Sequence, residues 1–371
     1  MKPTAKMVFD KLEELAPLSL AESWDNCGLQ IGSCDQVVSG VVVTLDSDGH
    51  AVQAALESGA NLIISHHPLF FKGLKRIDFA TPPGALVKNL IKHDMTVYSA
   101  HTNLDSAPEG LNQFLAVKLG LTKIEPLGVT RSDRYLKLAV FVPESHLETV
   151  RVAVNDAGAG CIGNYRDCSF RTPGVGTFRP LEGSNPFLGK AGELEEVAEF
   201  RLEVIVPEEL TDRVVNSMLE AHPYEEVAYD LIPLANSGPH YGLGRVGELP
   251  LAMSLEELAD RIKEAWDVEA LAVAGSPRGK IRRVGLASGS GASLIASARF
   301  AGCEVLITGD VKYHEARDAM ECGLTLIDAG HDEMELAAVE LMASYLERIR
   351  LVESWDIGIR GFRARPVWRR V

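Results

Sequence analysis

The sequence predicts an α/β protein in which two similar α/β lobes form one discontinuous domain, interrupted by a ferredoxin-like α+β insert. Strands and helices alternate at both ends of the chain, whereas the middle contains an internal repeat of another kind. Hydrophobic residues make up 46% and charged residues 24% of 371 residues, which is typical of a folded chain with more than one domain. We expect the lobes at 1–126 and 246–371, and the insert at 127–245.

The first lobe begins with a run of β-branched residues that is typical of a strand in a parallel sheet covered on both faces. A segment with apolar residues at helical spacing follows, and Gly59 is placed to end it. Strand and helix then alternate, so right-handed crossovers predict a parallel sheet. The predicted elements are a strand at 37–45, a helix at 50–58, a strand at 61–65, a helix at 85–93 and a strand at 96–100.

The second lobe repeats this alternation near the carboxyl end of the chain. Its short apolar runs and amphipathic segments predict the same kind of parallel sheet. The predicted elements are a strand at 283–287, a helix at 292–300, a strand at 305–308, a helix at 315–322 and a strand at 324–328.

The insert contains two related segments, at 137–150 and 201–214. Each alternates apolar residues as a half-buried strand does, turns at Pro-Glu and enters an amphipathic helix. Two such copies predict a ferredoxin-like pair of strand and helix units. The residues at 172–192, rich in Gly and Pro, predict an exposed loop, and those at 236–244 a linker back to the second lobe.

Charge and cysteine content narrow the classes of function. Acidic residues outnumber basic ones by 52 to 37, giving a formal charge of -15, which disfavours nucleic acid as a partner. The six cysteines form no C-x-x-C pair, and the amino terminus has no export signal. No apolar run approaches the roughly 20 residues that span a bilayer. We therefore expect a cytoplasmic protein with reduced thiols that does not insert into membranes.

Three clusters of histidine and carboxylate side chains follow predicted strands. Because ligands bind outside the carboxyl ends of parallel strands, these clusters are expected to meet in one crevice. Two of them have the form H-x-x-x-[DE], which places both side chains on one face of a helix. The candidate metal ligands are His66, His67, Asp105, His331 and Glu335.

Imidazole and carboxylate donors without thiolate suit zinc, iron, manganese or nickel. Five ligands exceed the needs of one ion, so we predict two divalent ions per chain that share a bridging water or hydroxide. His101 lies near the cluster and is the candidate proton shuttle. The alternatives are solvated His-carboxylate pairs, or core and helix-capping histidines in the case of His66 and His67.

Two further segments end predicted strands. The glycine-rich residues 285–291 resemble a phosphate-binding loop but lack the Walker lysine, which favours a tight turn between strand and helix. Thr308, Asp310, Tyr313 and His314 are predicted to line the same crevice as the metal ligands. The alternative for Asp310 is that it caps the following helix.

Taken together, these motifs resemble the family of GTP cyclohydrolase I type 2 homologues, also called Nif-three-like or dinuclear-metal-centre proteins. The resemblance rests on the WDNCGLQIG segment at 24–32, SHHPLFFKG at 65–73, HTNLD at 101–105, TGD at 308–310, and His331 with Glu335. It implies a cytoplasmic, toroidal homohexamer with dimetal sites, in which the five residues above are the ligands. The insert, with HPYEE at 222–226, is similar to the PII/CutA-like domain of longer bacterial members.

Two functions follow from these observations. The first is a metal-dependent hydrolase-like activity on a nucleotide-like or phosphorylated small molecule, and the family name implies GTP ring opening. The second is a metal-stabilised hexameric binding or regulatory protein without catalysis, in which the insert senses a ligand or partner.

Overall fold

The computed structural model describes residues 1–364 and residue 367, and it is a mixed α/β structure with two sheets. One compact unit combines Met1–Arg131 with the chain from Tyr241 onward, and the other is Ser132–His240. The α/β class predicted from the sequence is confirmed. The end of the predicted second lobe, residues 365, 366 and 368–371, lies outside the described residues.

Strands and helices alternate along most of the chain. The strands are β1 (Gly28–Ile31), β2 (Gly40–Thr44), β3 (Leu62–Ser65), β4 (Thr96–Ser99), β5 (Thr122–Pro143), β6 (Ser169–Phe178), β7 (Glu195–Pro207), β8 (Tyr229–Met253), β9 (Ala272–Ala274), β10 (Ile281–Leu286), β11 (Val305–Thr308), β12 (Thr325–Asp328) and β13 (Gly358–Phe362). The helices are α1 (Ala5–Leu15), α2 (Gly49–Ser58), α3 (Pro82–Lys92), α4 (Thr102–Ser106), α5 (Leu111–Lys118), α6 (Leu147–Asp156), α7 (Thr211–Ala221), α8 (Leu255–Trp266), α9 (Ile295–Phe300), α10 (Tyr313–Glu321) and α11 (His331–Val352).

The first sheet of the larger unit has the strand order β1-β4-β3-β2-β13. Its centre is parallel, with Val42 opposite Ile63 and Ile63 opposite Val97. All residues of β2, β3 and β4 are buried, which accounts for their continuous apolar runs. The parallel register brings the carboxyl ends of these three strands to one edge, from which the chain continues into the histidine segments.

The larger unit also contains the parallel strands β10, β11 and β12, in that order. Val284 lies opposite Val305, and Leu306 lies opposite Leu326. Antiparallel neighbours flank them: β9 pairs with β12, and the end of β8 pairs with β10. As in the first sheet, the carboxyl ends of the parallel strands share one edge, and α11 begins shortly after β12.

Residues from both ends of the chain share one hydrophobic core in the larger unit. Ile64 of β3 and Ile307 of β11 belong to the same buried cluster, together with Leu104 of α4 and Met342 of α11. Helix α11, 22 residues long, buries one side of its surface through this cluster. Separate stretches of sequence are therefore held together by apolar burial, and α11 packs against β2 and β13.

The smaller unit contains the two repeated segments identified in the sequence. They form β5 with α6 and β7 with α7, and the two strands pair antiparallel with Leu138 opposite Val204 and Val140 opposite Leu202. These four residues are buried in a core that includes Val150 of α6. The alternating apolar pattern thus forms the inner face of a sheet against two helices.

One prediction about this region is wrong in part, and another is wrong. The first seven residues of the predicted loop at 172–192 belong to β6, which pairs with β7 along its whole length, whereas residues 179–192 form no helix or strand, as predicted. Because β6 is an edge strand, it tolerates Pro173 and two glycines that signalled a loop. The predicted linker at 236–244 lies inside β8. Pairing with a neighbouring strand, which a local sequence window does not reveal, overrides its Gly and Pro content.

Among the described residues, none of the helices is both long enough and apolar enough to cross a membrane.

Candidate metal centre

His66 follows β3 and is completely buried. Its Nδ1 atom lies 2.8 Å from the carbonyl oxygen of Ala100, at the end of the neighbouring strand. Its Nε2 atom has no hydrogen-bond partner and lies 3.7 Å from Asp105 Oδ1 and 3.8 Å from Glu335 Oε1. A buried imidazole nitrogen that faces two carboxylates without a hydrogen bond is the environment expected for a ligand of a bound cation.

His67 is the next residue and points to the same region. Its Nδ1 lies 2.8 Å from Asp46 Oδ1, and its Nε2 lies 2.7 Å from Glu335 Oε2. Asp46 follows β2, so two adjacent parallel strands supply the histidine and the carboxylate that orients it. The ring is therefore held between an outer carboxylate and an inner one.

His101 and Asp105 come from the segment after β4. His101 is the residue before the short helix α4, and the amide N–H of Asp105 donates to its carbonyl oxygen, as in a helical turn. The Nδ1 atom of His101 lies 2.9 Å from Asp25 Oδ2. Asp105 Oδ1 accepts a hydrogen bond from the Ser288 hydroxyl at 3.2 Å. The helical turn thus brings both predicted residues to the centre.

His331 and Glu335 lie one turn apart at the start of α11. His331 Nε2 is 3.0 Å from Glu335 Oε2, and His331 Nδ1 is 2.7 Å from Asp310 Oδ2. The carboxylate of Glu335 is almost fully buried and is also in contact with His67. Glu335 therefore joins side chains from the two ends of the sequence.

These side chains form two overlapping groups of donor atoms. Donor atoms of His66, His67 and His101 lie within 4.8 Å of one another. The same is true of His67, His331 and Glu335. Because His67 belongs to both groups and Glu335 also faces His66, the donors form one continuous cluster. All six residues singled out from the sequence lie in this centre, and their roles as ligands or proton shuttle stay predictions.

The two buried carboxyl groups differ in their charge state. Burial alone would raise the pKa of Glu335, but hydrogen bonds with His331 and His67, together with the charge of nearby His66, hold the pKa well below its ordinary value. Burial raises the pKa of Asp105, although the charges of His66 and His101 oppose this effect. Of these two groups, Glu335 is therefore the one that carries a negative charge most readily.

The histidine rings near Glu335 hold protons strongly. Burial opposes the charging of His67, but its hydrogen bonds with Asp46 and Glu335 raise its pKa to about 10. The hydrogen bond with Glu335 raises the pKa of His331 to about 9, against the effect of burial. Protons thus supply positive charge in the cluster, and a divalent cation at the same place would displace them.

The donor set fits a first-row divalent cation. It consists of imidazole nitrogens and carboxylate oxygens without a thiolate, and the unpartnered Nε2 of His66 lies among them. Cys27 is the cysteine closest in sequence to Asp25, and its thiol donates to Asp25 Oδ2. Burial raises the pKa of this thiol to about 12. The chemistry of the centre is therefore that of nitrogen and oxygen ligands.

A sequence profile of the family described as Duf34/NIF3 (NGG1p interacting factor 3) matches residues 3–365. The chain belongs to this family. The resemblance stated from the sequence motifs is thus confirmed.

Known DUF34/NIF3 relatives match nearly the whole chain. A protein of Halalkalibacterium halodurans named GTP cyclohydrolase 1 type 2 homolog is 45% identical over 325 residues, which cover 88% of this chain and 87% of that protein. A protein of the same name in Bacillus subtilis is 42% identical over 326 residues, covering 88% and 87%. The crystal structure of a Bacillus cereus protein related to NIF3 has a TM-score of 0.91 at 39% identity and covers 100% of both chains.

The DUF34/NIF3 centre opens into a cavity of about 230 Å³. Trp24 and Phe71 form part of its wall, and the ring of Phe71 lies edge-on to that of His101 with 5.6 Å between centroids. The hydroxyl-bearing residues Ser288 and Ser290 also belong to the lining. A ligand that enters would meet both aromatic surface and hydroxyl groups.

The glycine-rich residues 285–291 begin with the last two residues of β10 and continue as the turn that follows it, as the sequence favoured. Gly289 has a φ of +61° in this turn, and a Cβ atom there would lie 2.3 Å from Glu335 Oε1. The Thr308 hydroxyl accepts from Gly291 N at 2.7 Å and donates to Gly289 O at 3.1 Å. Glycine is therefore required where the turn passes the buried carboxylate.

The residues predicted around Thr308 have different roles. Thr308 holds the glycine-rich turn, and Asp310 contacts His331. The alternative that Asp310 caps the next helix is wrong, because Lys312 is the capping residue of α10. None of the four predicted residues is among those that line the cavity, and Tyr313, at the start of α10, is 70% exposed.

Asp25 and Asp46, which orient two of the histidines, were not among the residues predicted from the sequence. Asp25 accepts hydrogen bonds from the backbone and hydroxyl groups of Thr102 as well as contacting His101. The sequence contained a signal for Asp46, because it follows a buried parallel strand in the same way as His66. Asp25 lies in the WDNCG motif, but no local sequence pattern indicates that its carboxylate orients a histidine.

Proposed function

We propose that this DUF34/NIF3 protein binds two divalent metal ions and uses them in a hydrolase-like reaction on a small nucleotide-like or phosphorylated molecule. One observation carries the proposal: in four histidine rings, Nδ1 contacts a carboxylate or a backbone carbonyl on the side away from the centre. The Nε2 atoms are then left available on the side of the buried carboxylates Asp105 and Glu335. Nδ1 engagement of this kind is typical of metal-bound histidine. The rings and their Nδ1 partners are His66 with Ala100, His67 with Asp46, His101 with Asp25, and His331 with Asp310.

Two ions are favoured over one by the extent of the donor cluster. The residues that would hold the ions are His66, His67, Asp105, His331 and Glu335, with His101 beside them. Zinc, iron, manganese and nickel all suit these donors. Bound metal ions would supply a nucleophile by lowering the pKa of a bound water toward neutrality.

His101 has two candidate roles in this scheme. Its place in a group of three imidazoles supports a ligand role, whereas the sequence predicted a proton shuttle. Asp25 fixes the ring in either case, because Nδ1 faces the carboxylate and Nε2 stays available. Metal content separates the roles: His101→Ala lowers it if His101 is a ligand, and leaves it unchanged while altering the pH profile if His101 moves a proton.

The cavity supports a small or partly inserted substrate. A volume of about 230 Å³ is below the usual range for sites that enclose a whole ligand of drug size, so the reacting end would enter and the rest would stay outside. Trp24, 61% exposed, and Phe71, 54% exposed, offer faces for a planar ring at the entrance. Relatives carry the name GTP cyclohydrolase 1 type 2 homolog, which makes guanine nucleotides the first substrates to test.

The experiment compares metal content and turnover in matched variants. The wild type is loaded with each of the four metals, and metal per chain is measured by mass spectrometry. His67→Ala and Glu335→Ala are expected to lose metal, whereas the exposed His50→Asn is the control and should retain it. Unchanged metal content in both centre variants would remove the proposed site.

Turnover then decides between the two functions predicted from the sequence. Metal-loaded wild type is assayed on nucleotides and phosphoesters, with Glu335→Ala as the inactive reference. Hydrolysis that depends on metal supports the enzyme. Full metal loading without turnover supports the second function, a metal-stabilised binding or regulatory protein.

We also propose that Ser132–His240 is a ferredoxin-like, PII/CutA-like insert between two similar lobes. In this unit the elements follow the order β5, α6, β6, β7, α7, β8, and the strands lie in the order β6-β7-β5-β8. That order of strands and helices supports a ferredoxin-like arrangement. For the two lobes, the support is that each contains three adjacent parallel strands whose ends lead into the centre.

The assembly is proposed to be a cytoplasmic homohexamer, as the family resemblance implies. The larger unit exposes apolar side chains that an assembly would bury, among them Phe300 at 96% and Val352 at 73% exposure. All six cysteines are free thiols, in keeping with a reducing compartment. Light scattering on the metal-loaded protein is expected to give six times the 40.2 kDa chain mass.

A further inference from the structure

The smaller unit, Ser132–His240, contains a cavity of its own, with a volume of about 510 Å³. Aromatic rings of Phe178, Phe187 and Tyr224 contribute to its walls, and the carboxylate of Glu199 lies among them. The volume is within the range of sites that enclose small ligands. The HPYEE segment at 222–226, which the metal centre does not use, supplies Tyr224 and two further acidic residues to this cavity.

Glu199 is the unusual group in this cavity, because its residue is only 8% exposed. The Tyr224 hydroxyl donates to Glu199 Oε1 at 2.8 Å. In the described part of the chain, the carboxylate is thus paired with a neutral phenol rather than with a cation. A buried carboxylate with this single neutral partner has unused capacity to accept hydrogen bonds and to balance a positive charge.

Gly176 provides the room for this carboxylate. A Cβ atom at position 176 would lie 2.1 Å from Glu199 Oε2, closer than any real contact. The glycine on β6 therefore allows the carboxylate of β7 to lie at the cavity wall, and an alanine would displace it.

The wall that carries Tyr224 is held by a buried histidine. The amide N–H of Tyr224 donates to His222 Nδ1 at 3.1 Å, and His222 Nε2 lies 3.0 Å from the carbonyl oxygen of Phe141. His222 therefore accepts at one nitrogen and donates at the other, which is the neutral ring. Burial lowers the pKa of His222, in agreement with that state. The phenol is thus placed toward Glu199 by fixed contacts.

The remaining charges around the cavity are mainly acidic. Glu225 and Glu226 belong to its lining, and Glu225 accepts from the backbone N–H of Asn185 at 2.9 Å. The guanidinium of Arg179, also in the lining, donates to Gly192 O at 2.8 Å. Three carboxylates against one guanidinium leave a net negative cavity lined by aromatic rings.

We propose that this cavity binds a small organic cation, with its ammonium group between the Glu199 carboxylate and the ring of Tyr224. Aromatic faces attract cations through their quadrupole, and Phe178 and Phe187 lie with their ring centroids 6.1 Å from that of Tyr224. The inference does not depend on the metal centre, because every residue in it belongs to Ser132–His240.

The test uses three probes of nearly the same shape on the full chain: choline as the cation, 3,3-dimethyl-1-butanol as its neutral counterpart and 3,3-dimethylbutyrate as an anion. Binding is followed by ligand-observed NMR and calorimetry. Choline is expected to bind about tenfold more tightly than the neutral probe, and the anion is expected not to bind. Ethanolamine is tested as a cation with a primary ammonium group. Binding of either choline or ethanolamine supports the proposal. Equal binding of cation and neutral probe, or preferential binding of the anion, would overturn it.

Variants assign the binding to Glu199. Glu199→Gln keeps the shape and removes the charge, and is expected to weaken choline binding about tenfold. Gly176→Ala keeps the charge but displaces the carboxylate, and is expected to weaken binding as well. The exposed Glu220→Gln on α7 removes the same charge elsewhere in the unit and should leave binding unchanged. Choline binding that is the same in wild type, Glu199→Gln and Gly176→Ala would place the cation elsewhere and contradict the proposal.

Discussion

The histidines of the metal centre are oriented by the ring nitrogen that faces away from it. The Nδ1 atoms of His67, His101 and His331 each contact a carboxylate, and that of His66 contacts a backbone carbonyl. Such outer contacts fix the tautomer and the direction of the ring, and they raise the basicity of the inner nitrogen. At the scale of single residues, the outer carboxylates are therefore expected to matter nearly as much as the ligands.

Asp25→Asn tests this at His101. The amide keeps the size of the side chain but removes the charge that faces Nδ1, so metal affinity at the centre is expected to fall by about 10- to 100-fold. Competition with a chromophoric chelator measures the affinity. The exposed Asp35→Asn is the matched control and should bind metal as the wild type does. Equal affinities in the two variants would show that Asp25 has no orienting role.

Metal uptake is expected to release protons. His67, with a pKa raised to about 10, and His331, with a pKa raised to about 9, are protonated at neutral pH in the metal-free protein, and each loses a proton to bind a cation. Affinity should therefore rise with pH until it passes these pKa values, and proton release should decline above them. Calorimetry in buffers of different ionisation enthalpy measures the protons released. Affinity that does not change between neutral pH and the pKa of His331 would contradict this expectation.

At the scale of elements, the centre depends on the segments that come directly after the carboxyl ends of the parallel strands. Strands β2, β3 and β4 lead into Asp46, His66 and His101, and β10 leads into the glycine-rich turn at 285–291. That turn passes so close to Glu335 that position 289 has no room for a side chain. The turn thus shapes the carboxylate position by steric fit, in addition to connecting two elements.

Gly289→Ala tests the fit of this turn. Alanine at a φ of +61° is strained by about 1 kcal/mol, and its Cβ would also displace the Glu335 carboxylate. Gly302→Ala is the control, because its φ of +75° gives similar strain but nothing lies within 4 Å of the added Cβ. Both variants are expected to unfold at a lower temperature, but only Gly289→Ala should lose metal. Equal metal content in both would argue against the contact.

At the scale of the whole molecule, the residues of the candidate metal centre all lie in the larger unit. The first and last residues of the smaller unit lie close to each other. The Ser132 hydroxyl lies 2.6 Å from His240 Nδ1, although 108 residues separate them in sequence. Within the larger unit, the Thr122 hydroxyl donates to Glu248 O at 3.0 Å, so β5 and β8 are also adjacent there.

Deletion of the smaller unit tests the predicted domain organisation. Replacing Ser132–His240 by an Asn-Gly turn between Arg131 and Tyr241 closes the two strands as a hairpin. Metal content is expected to be unchanged, because the candidate ligands all lie in the larger unit. The separately expressed insert is expected to unfold cooperatively in its own right. A deletion variant that folds but binds no metal would contradict this division of function.

Local sequence patterns predicted much of this structure because the corresponding elements have local causes. Buried β-branched runs gave β2, β3 and β4, and the H-x-x-x-[DE] spacing placed His331 and Glu335 on one helical turn. Where pairing with a neighbouring strand determines the structure, the prediction from local sequence was wrong. β6 contains Pro173 and two glycines and is still a strand, because β7 supplies its hydrogen bonds.

The sequence alone determined the family, the α/β class and the set of histidines and carboxylates that gather at the ends of the strands. Only the tertiary structure decided which groups orient those histidines. Asp25 reaches His101 across 76 positions, and Glu335 reaches His67 across 268. Such contacts follow from the burial of one core shared by both ends of the chain, and burial of this kind is a property of the packed molecule that no window of neighbouring residues contains.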